Sequence, residues 1–166
     1  EEEMMLLYHF NFGYPFLDEN AVVLLPTLKV TPRDEEAQKD ADKWNQMEPP
    51  VDNEPERVYL HELAADKEGN TFACLFNKKT NLGIQIKFNK KYLPKFVQWK
   101  SIASGDYVMG LEPTNSGVYG RKGEGADIHK LPPFEREEIR IELKMLDGIE
   151  DYNNICASIK ELTSAS

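Results

Sequence analysis

The sequence predicts a mainly β domain of antiparallel strands, and two observations carry this prediction. Apolar and polar residues alternate with a period of two in the segments 72–76, 84–88 and 138–145, a pattern typical of half-buried strands. Clusters of turn-forming residues at 67–70, 81–83 and 104–106 separate successive strand segments at short intervals. Short strands at this spacing form a sandwich or a large antiparallel sheet.

One helix is predicted inside this β pattern. Thr31 has the character of an N-cap and is followed by Pro32 at the first helical position, and acidic residues then occupy the first turn. Three apolar residues continue at helical spacing until two prolines end the element: Ala37, Ala41, Trp44, Pro49 and Pro50. The acidic run 34–42 is interpreted as the solvated face of this helix.

A second helix is predicted at the end of the chain, over Glu150 to Leu162. Its apolar residues lie on one stripe: Tyr152, Ile155, Ile159 and Leu162. The predicted organisation is therefore a β-sandwich portion over residues 1–148, followed by an amphipathic helix and tail over residues 149–166.

Composition excludes several classes of function. The 166 residues include 20 basic and 29 acidic side chains, a formal net charge of −9. Nucleic acids and anionic membranes are therefore poor partners, since either needs a basic footprint. No apolar run approaches the roughly 20 residues needed to span a bilayer. The two cysteines, Cys74 and Cys156, form neither a disulfide framework nor a zinc-site spacing, which favours a reducing compartment and predicts a cytoplasmic location.

Two titratable residues lie in unusual strand contexts. His9 stands between aromatic residues in an apolar strand, where it is either a satisfied, partly buried histidine or a general acid in a cleft. Glu112 closes an apolar strand just before Pro113, between the glycines Gly110 and Gly117. It is either an edge glutamate in water or a partly desolvated base facing a ligand.

Other candidates carry weaker signals. Trp99 is interpreted either as a core residue or as a ring that stacks on an apolar sugar face. His61 is a second histidine in a second strand, and His129 is expected at the surface. A metal site built from His9, His61 and Glu112 is disfavoured because their spacing is not that of a metal motif.

An ordered set of motifs resembles the aldose 1-epimerase-like family of unknown function within the galactose mutarotase-like proteins. The match extends from His9 to about Leu146. Its parts are His9-Phe10-Asn11-Phe12-Gly13-Tyr14-Pro15, Gln98-Trp99-Lys100, Gly105 to Asn115, Gly120-Arg121 and Leu131-Pro132-Pro133. Any one of these motifs is common, but their order is specific.

The resemblance implies an antiparallel β-supersandwich, of which this chain is the carboxy-terminal half, and it implies aldose mutarotation. In that reaction the histidine, here His9, is the general acid on the ring oxygen. The glutamate, here Glu112, is the general base that takes the anomeric hydroxyl proton. Neither a metal nor an organic cofactor is implied.

The same resemblance implies that several residues contact the sugar: Asn11, His61, Trp99, Lys100, Asn115 and Arg121. His61 is included because it lies in about the strand where mutarotases place an aspartate. The family's members are longer, and the amino-terminal half that supplies an arginine and another histidine in mutarotases has no counterpart in this chain.

Four hypotheses follow for the function. The leading one is a carbohydrate-active isomerase of the aldose 1-epimerase type, and the alternatives are a non-catalytic sugar-binding module or a truncated, inactive fragment. A structural or interaction domain is the fourth. Because half a supersandwich leaves sheet edges and apolar surface open, the chain is expected to dimerise or to be a piece of a longer protein, and the alternative is that its terminal helix covers that surface.

Overall fold

A computed structural model of the chain describes residues 1–124 and 128–165. Within these ranges the chain forms eleven β-strands, three α-helices and one short 3-10 helix, and all paired strands are antiparallel. The prediction of a mainly β, antiparallel chain with a terminal helix is confirmed. None of the helices in the described ranges has the length and apolar character needed to cross a bilayer.

The largest sheet has five strands and is called the site sheet below. Its strands are β2 (Phe10–Phe12), β4 (Thr27–Pro32), β5 (Arg57–Leu63), β8 (Lys95–Ser101) and β9 (Val108–Thr114). Across the sheet they lie in the order β2–β9–β8–β5–β4.

A second sheet, called the helix-covered sheet, has four strands: β3 (Ala21–Leu24), β6 (Asn70–Asn77), β7 (Leu82–Asn89) and β11 (Glu142–Asp147). Across the sheet they lie in the order β11–β7–β6–β3. A two-stranded ribbon pairs β1 (Glu2–Glu3) with β10 (Lys130–Leu131). The helices are α1 (Glu35–Lys39), the 3-10 helix (Ala41–Lys43), α2 (Arg121–Glu124) and α3 (Ile149–Ser164).

The main core lies between the two larger sheets. Phe88 of β7 stacks on Phe96 of β8 with ring centroids 6.1 Å apart, which joins the sheets face to face. The other buried apolar residues of this core are Leu17, Ala21, Val23, Leu25, Met47, Leu63, Ala73, Leu75, Ile86, Leu93, Ile102, Met109 and Leu111. Met109 and Leu111 face this core, so the alternating residues of β9, Gly110 and Glu112, emerge on the opposite face of the site sheet.

A second core fills the outer face of the helix-covered sheet, where α3 packs. The sheet contributes Val22, Leu24, Phe72, Cys74, Phe76 and Leu146, and the helix contributes Tyr152, Ile155, Cys156, Ile159 and Leu162. The helix predicted at 150–162 is therefore present, and its apolar stripe covers this sheet. The terminal helix thus covers apolar sheet surface, which is the alternative to dimerisation that the sequence offers. Formation of a dimer stays a prediction. Residues 125–127 and 166 of the two predicted units lie outside the described residues.

The predicted first helix begins later than its sequence indicates. Thr31 and Pro32 end β4, where they pair with Leu60 and Tyr59. The N-cap is Asp34, whose side chain accepts a hydrogen bond from the Ala37 amide. Pairing with β5 therefore extends the strand through the proline, because an edge strand tolerates the missing amide donor.

The strand predicted over 138–145 is also displaced, since β11 covers only Glu142–Asp147. Ile139 and Ile141 lie before this strand and pack against the main core as partly buried residues. The alternating pattern in the sequence therefore begins before the segment that pairs with β7.

Candidate active site

The pairing of β2 with β9 brings His9 and Glu112 together. Phe10 lies opposite Leu111, and the same register continues past β2, because the Tyr8 amide donates to the Pro113 carbonyl at 3.1 Å. His9 therefore stands directly opposite Glu112. Residues opposite each other in an antiparallel pair project to the same face, and this is the face of the site sheet that points away from the core.

The two side chains are in direct contact and differ in exposure. His9 Nε2 lies 3.0 Å from Glu112 Oε1, and the side chains are 43% and 5% exposed, respectively. The two atoms are close, but Glu112 Oε1 is buried and has no aligned hydrogen bond. Burial raises the pKa of Glu112, the nearby Glu56 adds to that rise, and His9 opposes it. A buried carboxylate oxygen without a directed donor is the kind of group that a bound ligand satisfies.

Gly110 makes this contact possible. A Cβ on Gly110 would lie 2.7 Å from Glu112 Oε1 and 3.3 Å from His9 Cε1. Any side chain here would therefore push the carboxylate and the imidazole out of their positions. The missing side chain of Gly110 therefore lets the His9–Glu112 pair lie close to the backbone of the site sheet.

Trp99 forms an aromatic wall beside the pair. It lies opposite Gly110 in the ladder between β8 and β9. Its ring meets the His9 ring edge-on, with centroids 5.7 Å apart and an interplanar angle of 80°. Trp99 is half-buried, so it is neither a core residue nor a freely exposed ring. It lines a cavity of about 240 Å³ together with His9, Arg33, Glu56, Val58, Val97, Glu112 and Val118.

Arg33 and Glu56 also line this cavity, and neither is among the site residues predicted from the sequence. The Trp99 indole Nε1–H donates to Glu56 Oε2 at 2.8 Å. Both terminal nitrogens of Arg33 donate to Glu56 Oε1 at 3.2 Å. Arg33 follows β4 and Glu56 precedes β5, so the signal that could have found them is the antiparallel pairing of these two strands.

His61 does not join the cavity. It faces the other side of the site sheet, where its ring lies 4.8 Å from that of Trp44. Its Nε2 is 2.9 Å from Gln98 Oε1 and its Nδ1 is 3.1 Å from Thr27 Oγ1. With the proton on Nε2, the ring donates to the amide oxygen and accepts from the hydroxyl. His61 is thus a satisfied core histidine. Among the described residues, no three histidine, cysteine, aspartate or glutamate side chains form a group that could hold a metal ion.

We expect His61 to make the fold sensitive to acid. Burial lowers the pKa of His61 from 6.5 to about 4, so the unfolded chain binds this proton more readily than the folded one. The free energy of unfolding should therefore fall by about 3 kcal/mol as pH decreases from 7 to 4. Urea unfolding of the wild-type chain and of His61→Gln across this range should show this contribution only in the wild type. Identical pH dependence in the two proteins would contradict it.

Lys100 also lies away from the cavity. It follows Trp99 in β8 and therefore projects to the opposite face of the site sheet. It is fully buried, and its Nζ contacts Glu48 Oε2 at 2.7 Å and the Lys43 carbonyl at 3.1 Å. Burial lowers the pKa of Lys100, which Glu48 opposes.

Asn115 and Arg121 bind the amino-terminal segment of the chain. Asn115 Oδ1 accepts from the Leu6 amide at 2.7 Å, and its Nδ2 donates to the Met4 carbonyl at 3.2 Å. Arg121 is exposed and contacts Glu3 Oε2 at 2.9 Å. Asn115 thus fixes the segment that leads into His9, which is a structural contact.

Asn11 remains beside the cavity. It lies opposite Gly110 in the ladder, so its side chain emerges on the same face as Glu112, and it is exposed. His129, expected at the surface, lies 2.9 Å from Glu137 Oε1 and is 37% exposed. Of the eight predicted site residues, the structure brings four to one face: His9, Asn11, Trp99 and Glu112.

This arrangement offers a proton donor and a proton acceptor next to each other in one small cavity. The imidazole can donate from Nε2, and the buried carboxylate has an oxygen without an aligned donor, which can accept from a bound hydroxyl group when that hydroxyl takes the place of the imidazole. The indole supplies an apolar face, and Arg33 and Glu56 supply polar groups at the rim. These are the elements needed to hold a small polyhydroxylated molecule and to exchange protons with it.

Comparison with known proteins places this geometry in context. The family model described as "Domain of unknown function (DUF4432)" matches residues 1–145. The structure is similar to a crystal structure described as "a putative aldose 1-epimerase" from Klebsiella pneumoniae subsp. pneumoniae, with a TM-score of 0.91 and 25% sequence identity. This similarity covers 97% of the present chain and 43% of that chain. No curated protein matches the sequence at a significant level. The predicted galactose mutarotase-like fold is confirmed, and the chain corresponds to part of that fold.

Proposed function

Since the chain belongs to the family described as a domain of unknown function (DUF4432), we propose its function from its own geometry: it is an aldose 1-epimerase-like isomerase. In this proposal it binds a small sugar in the cavity beside Trp99 and interconverts the two anomers, with His9 as general acid and Glu112 as general base.

The proposed reaction moves two protons and breaks one ring bond. Glu112 takes the proton of the anomeric hydroxyl, the C1–O5 bond breaks, and His9 gives a proton to the ring oxygen O5. The open-chain aldehyde then rotates about C1–C2. Ring closure runs the same steps in reverse, so both residues recover their starting protonation states and the product is the other anomer.

One observation carries the proposal: the buried Glu112 Oε1 has no aligned hydrogen bond and lies 3.0 Å from His9 Nε2. A carboxyl group with a raised pKa is a stronger base than an exposed one. Its position in a cavity walled by an indole ring matches the requirement to hold a sugar and remove a hydroxyl proton. The similarity to the chain described as "a putative aldose 1-epimerase" supports the same reaction class.

A non-catalytic sugar-binding module is the second candidate. The observation that favours it is the direct contact of His9 with Glu112, because two groups that remain in contact with each other can line a sugar site without exchanging protons with the sugar. The sugar must separate the two groups before the proposed reaction begins.

Polarimetry separates these candidates. Freshly dissolved α-D-glucose or α-D-galactose should reach anomeric equilibrium faster with the protein than in buffer alone, by an amount proportional to protein concentration. A panel of other aldoses extends the test to the identity of the sugar. An unchanged rate for every sugar, with binding detected by calorimetry, would reject the isomerase and support the binding module.

A further inference from the structure

Glu56 is fixed by contacts at both of its carboxylate oxygens. It lies directly before β5, where Oε2 accepts from the Trp99 indole at 2.8 Å and Oε1 accepts from both terminal nitrogens of Arg33 at 3.2 Å. The Glu56 side chain is 49% exposed, and these three donors restrict the orientation of its carboxylate. It connects the end of β4 with the middle of β8.

Arg33 is itself anchored to the fold. Its amide donates to the Val58 carbonyl at 2.9 Å, and its Nε donates to Asp34 Oδ2 at 2.8 Å. The other oxygen of Asp34 accepts from the Ala37 amide at the start of α1 at 2.9 Å. The Glu56 carboxylate is therefore held from the backbone of β5 and from the first turn of α1.

The other end of this chain of contacts reaches His9. The imidazole is held between the Glu112 carboxylate, 3.0 Å from its Nε2, and the edge-on Trp99 ring, 5.7 Å away between centroids. Because 43% of the His9 side chain is exposed, close packing does not fix it on every side. The position of the indole therefore decides how far the imidazole can turn.

We infer that Glu56 is a positioning residue, which holds the Trp99 indole through its Nε1–H and thereby fixes the wall against which His9 stands. This inference rests on the proposed function, since it concerns the general acid of that reaction. Both carboxylate oxygens of Glu56 accept hydrogen bonds from the protein, so Glu56 acts on the position of His9 through Trp99.

The charge of Glu56 adds a measurable consequence at Glu112. The charged groups around the Glu112 carboxylate are His9 from the segment that leads into β2, Glu56 before β5 and Arg33 after β4. Glu56 raises the pKa of Glu112, and His9 lowers it. Glu56→Gln should therefore lower the pKa of Glu112 and move the acidic limb of the kcat/KM profile to lower pH, since the base stays ionised further into acid.

Two variants test the positioning role in the full chain. Glu56→Ala removes the acceptor of the indole N–H, and Trp99→Phe keeps a ring but removes the N–H donor. Each should reduce kcat by about tenfold to a hundredfold, as expected when a catalytic group is displaced. KM should change little in Glu56→Ala and rise in Trp99→Phe, because the smaller ring covers less of the sugar. Because both changes break the same hydrogen bond, kcat of the double variant should be no lower than that of the slower single variant. Glu62→Ala, at an exposed glutamate of the adjoining strand β5, is the matched control and should keep wild-type kinetics.

A measurement without turnover keeps this inference separate from the proposed function. The His9 imidazole proton resonances sense the ring current of Trp99, and the Trp99 Nε1–H should resist hydrogen exchange in the wild type. Both signals should change in Glu56→Ala and stay unchanged in Glu62→Ala. If the wild type shows no mutarotation, the proposed function fails, and these resonances alone decide the role of Glu56.

Two results would overturn the inference. One is a Glu56→Ala variant with wild-type His9 resonances and unchanged indole exchange. The other is kinetic losses of Glu56→Ala and Trp99→Phe that multiply in the double variant, which would show independent roles. Should Glu56→Ala fail to fold, Glu56→Asp decides, because it keeps the charge but draws the carboxylate back from the indole: unchanged His9 resonances and unchanged indole exchange in that variant would overturn the inference.

Discussion

Glu112→Gln is expected to lower kcat for anomer interconversion by about 10²- to 10⁴-fold, the range typical for loss of a general base. Glutamine keeps the shape of the side chain and can still receive a hydroxyl hydrogen bond, but it cannot take the proton. The dissociation constant of the sugar should therefore change only a few-fold. Polarimetry measures the first quantity and calorimetry the second.

Glu62→Gln is the matched control for this substitution, because Glu62 is exposed and lies in β5 of the same sheet. It should turn over at the wild-type rate. His9→Gln should also be slow, and the double variant with Glu112→Gln should lose less than the product of the two effects, as residues acting in one step do. A Glu112→Gln variant within a few-fold of wild-type kcat would exclude Glu112 as the base.

Removal of α3 should have the largest effect on stability. A chain ending at Gly148 uncovers the outer face of the helix-covered sheet, where Phe72, Cys74, Phe76 and Leu146 are buried. Burying one large apolar side chain contributes about 1.5–3 kcal/mol, and α3 covers several. The loss should be on the order of 5 kcal/mol or more, comparable with the whole stability of a small domain. The shortened chain should aggregate in light-scattering measurements at micromolar concentration.

Point variants in α3 test the same idea in a chain that still folds. Ile155 is 5% exposed, so Ile155→Ala should lower the free energy of unfolding by about 2–5 kcal/mol. Glu161 lies on the exposed side of the helix, and Glu161→Ala should change it by less than about 0.5 kcal/mol. A soluble, fully folded chain without α3 would show that the sheet does not need this cover.

Much of the fold was predictable because its signals are local. Alternation marked the strands at 72–76 and 84–88, and a single apolar stripe marked α3. The first helix was placed too early because its capping residues, Thr31 and Pro32, pair with β5 instead. Pairing is a long-range interaction, and a propensity read from four residues cannot include it.

The candidate site was only partly predictable for a related reason. His9 and Glu112 lie in motifs that a sequence can show, and so does Trp99. Arg33 and Glu56 reach the site because β4 pairs with β5 and β5 pairs with β8. These long-range pairings leave no local pattern in the sequence. His61 and Lys100 were assigned to the site by the family resemblance. Both faces of β5 and β8 carry apolar residues, so alternation could not indicate which face these two side chains occupy.

The cross-strand pairing of His9 with Glu112 also determines which changes in length this protein family can tolerate. A single residue inserted into β9 between Gly110 and Glu112 would turn the glutamate toward the main core, because strand residues alternate in direction. The same insertion in the turn at 104–106 would leave the register of β2 and β9 unchanged. Natural variation in length is therefore expected to collect in the turns, while the strand interiors of the site keep their residue count.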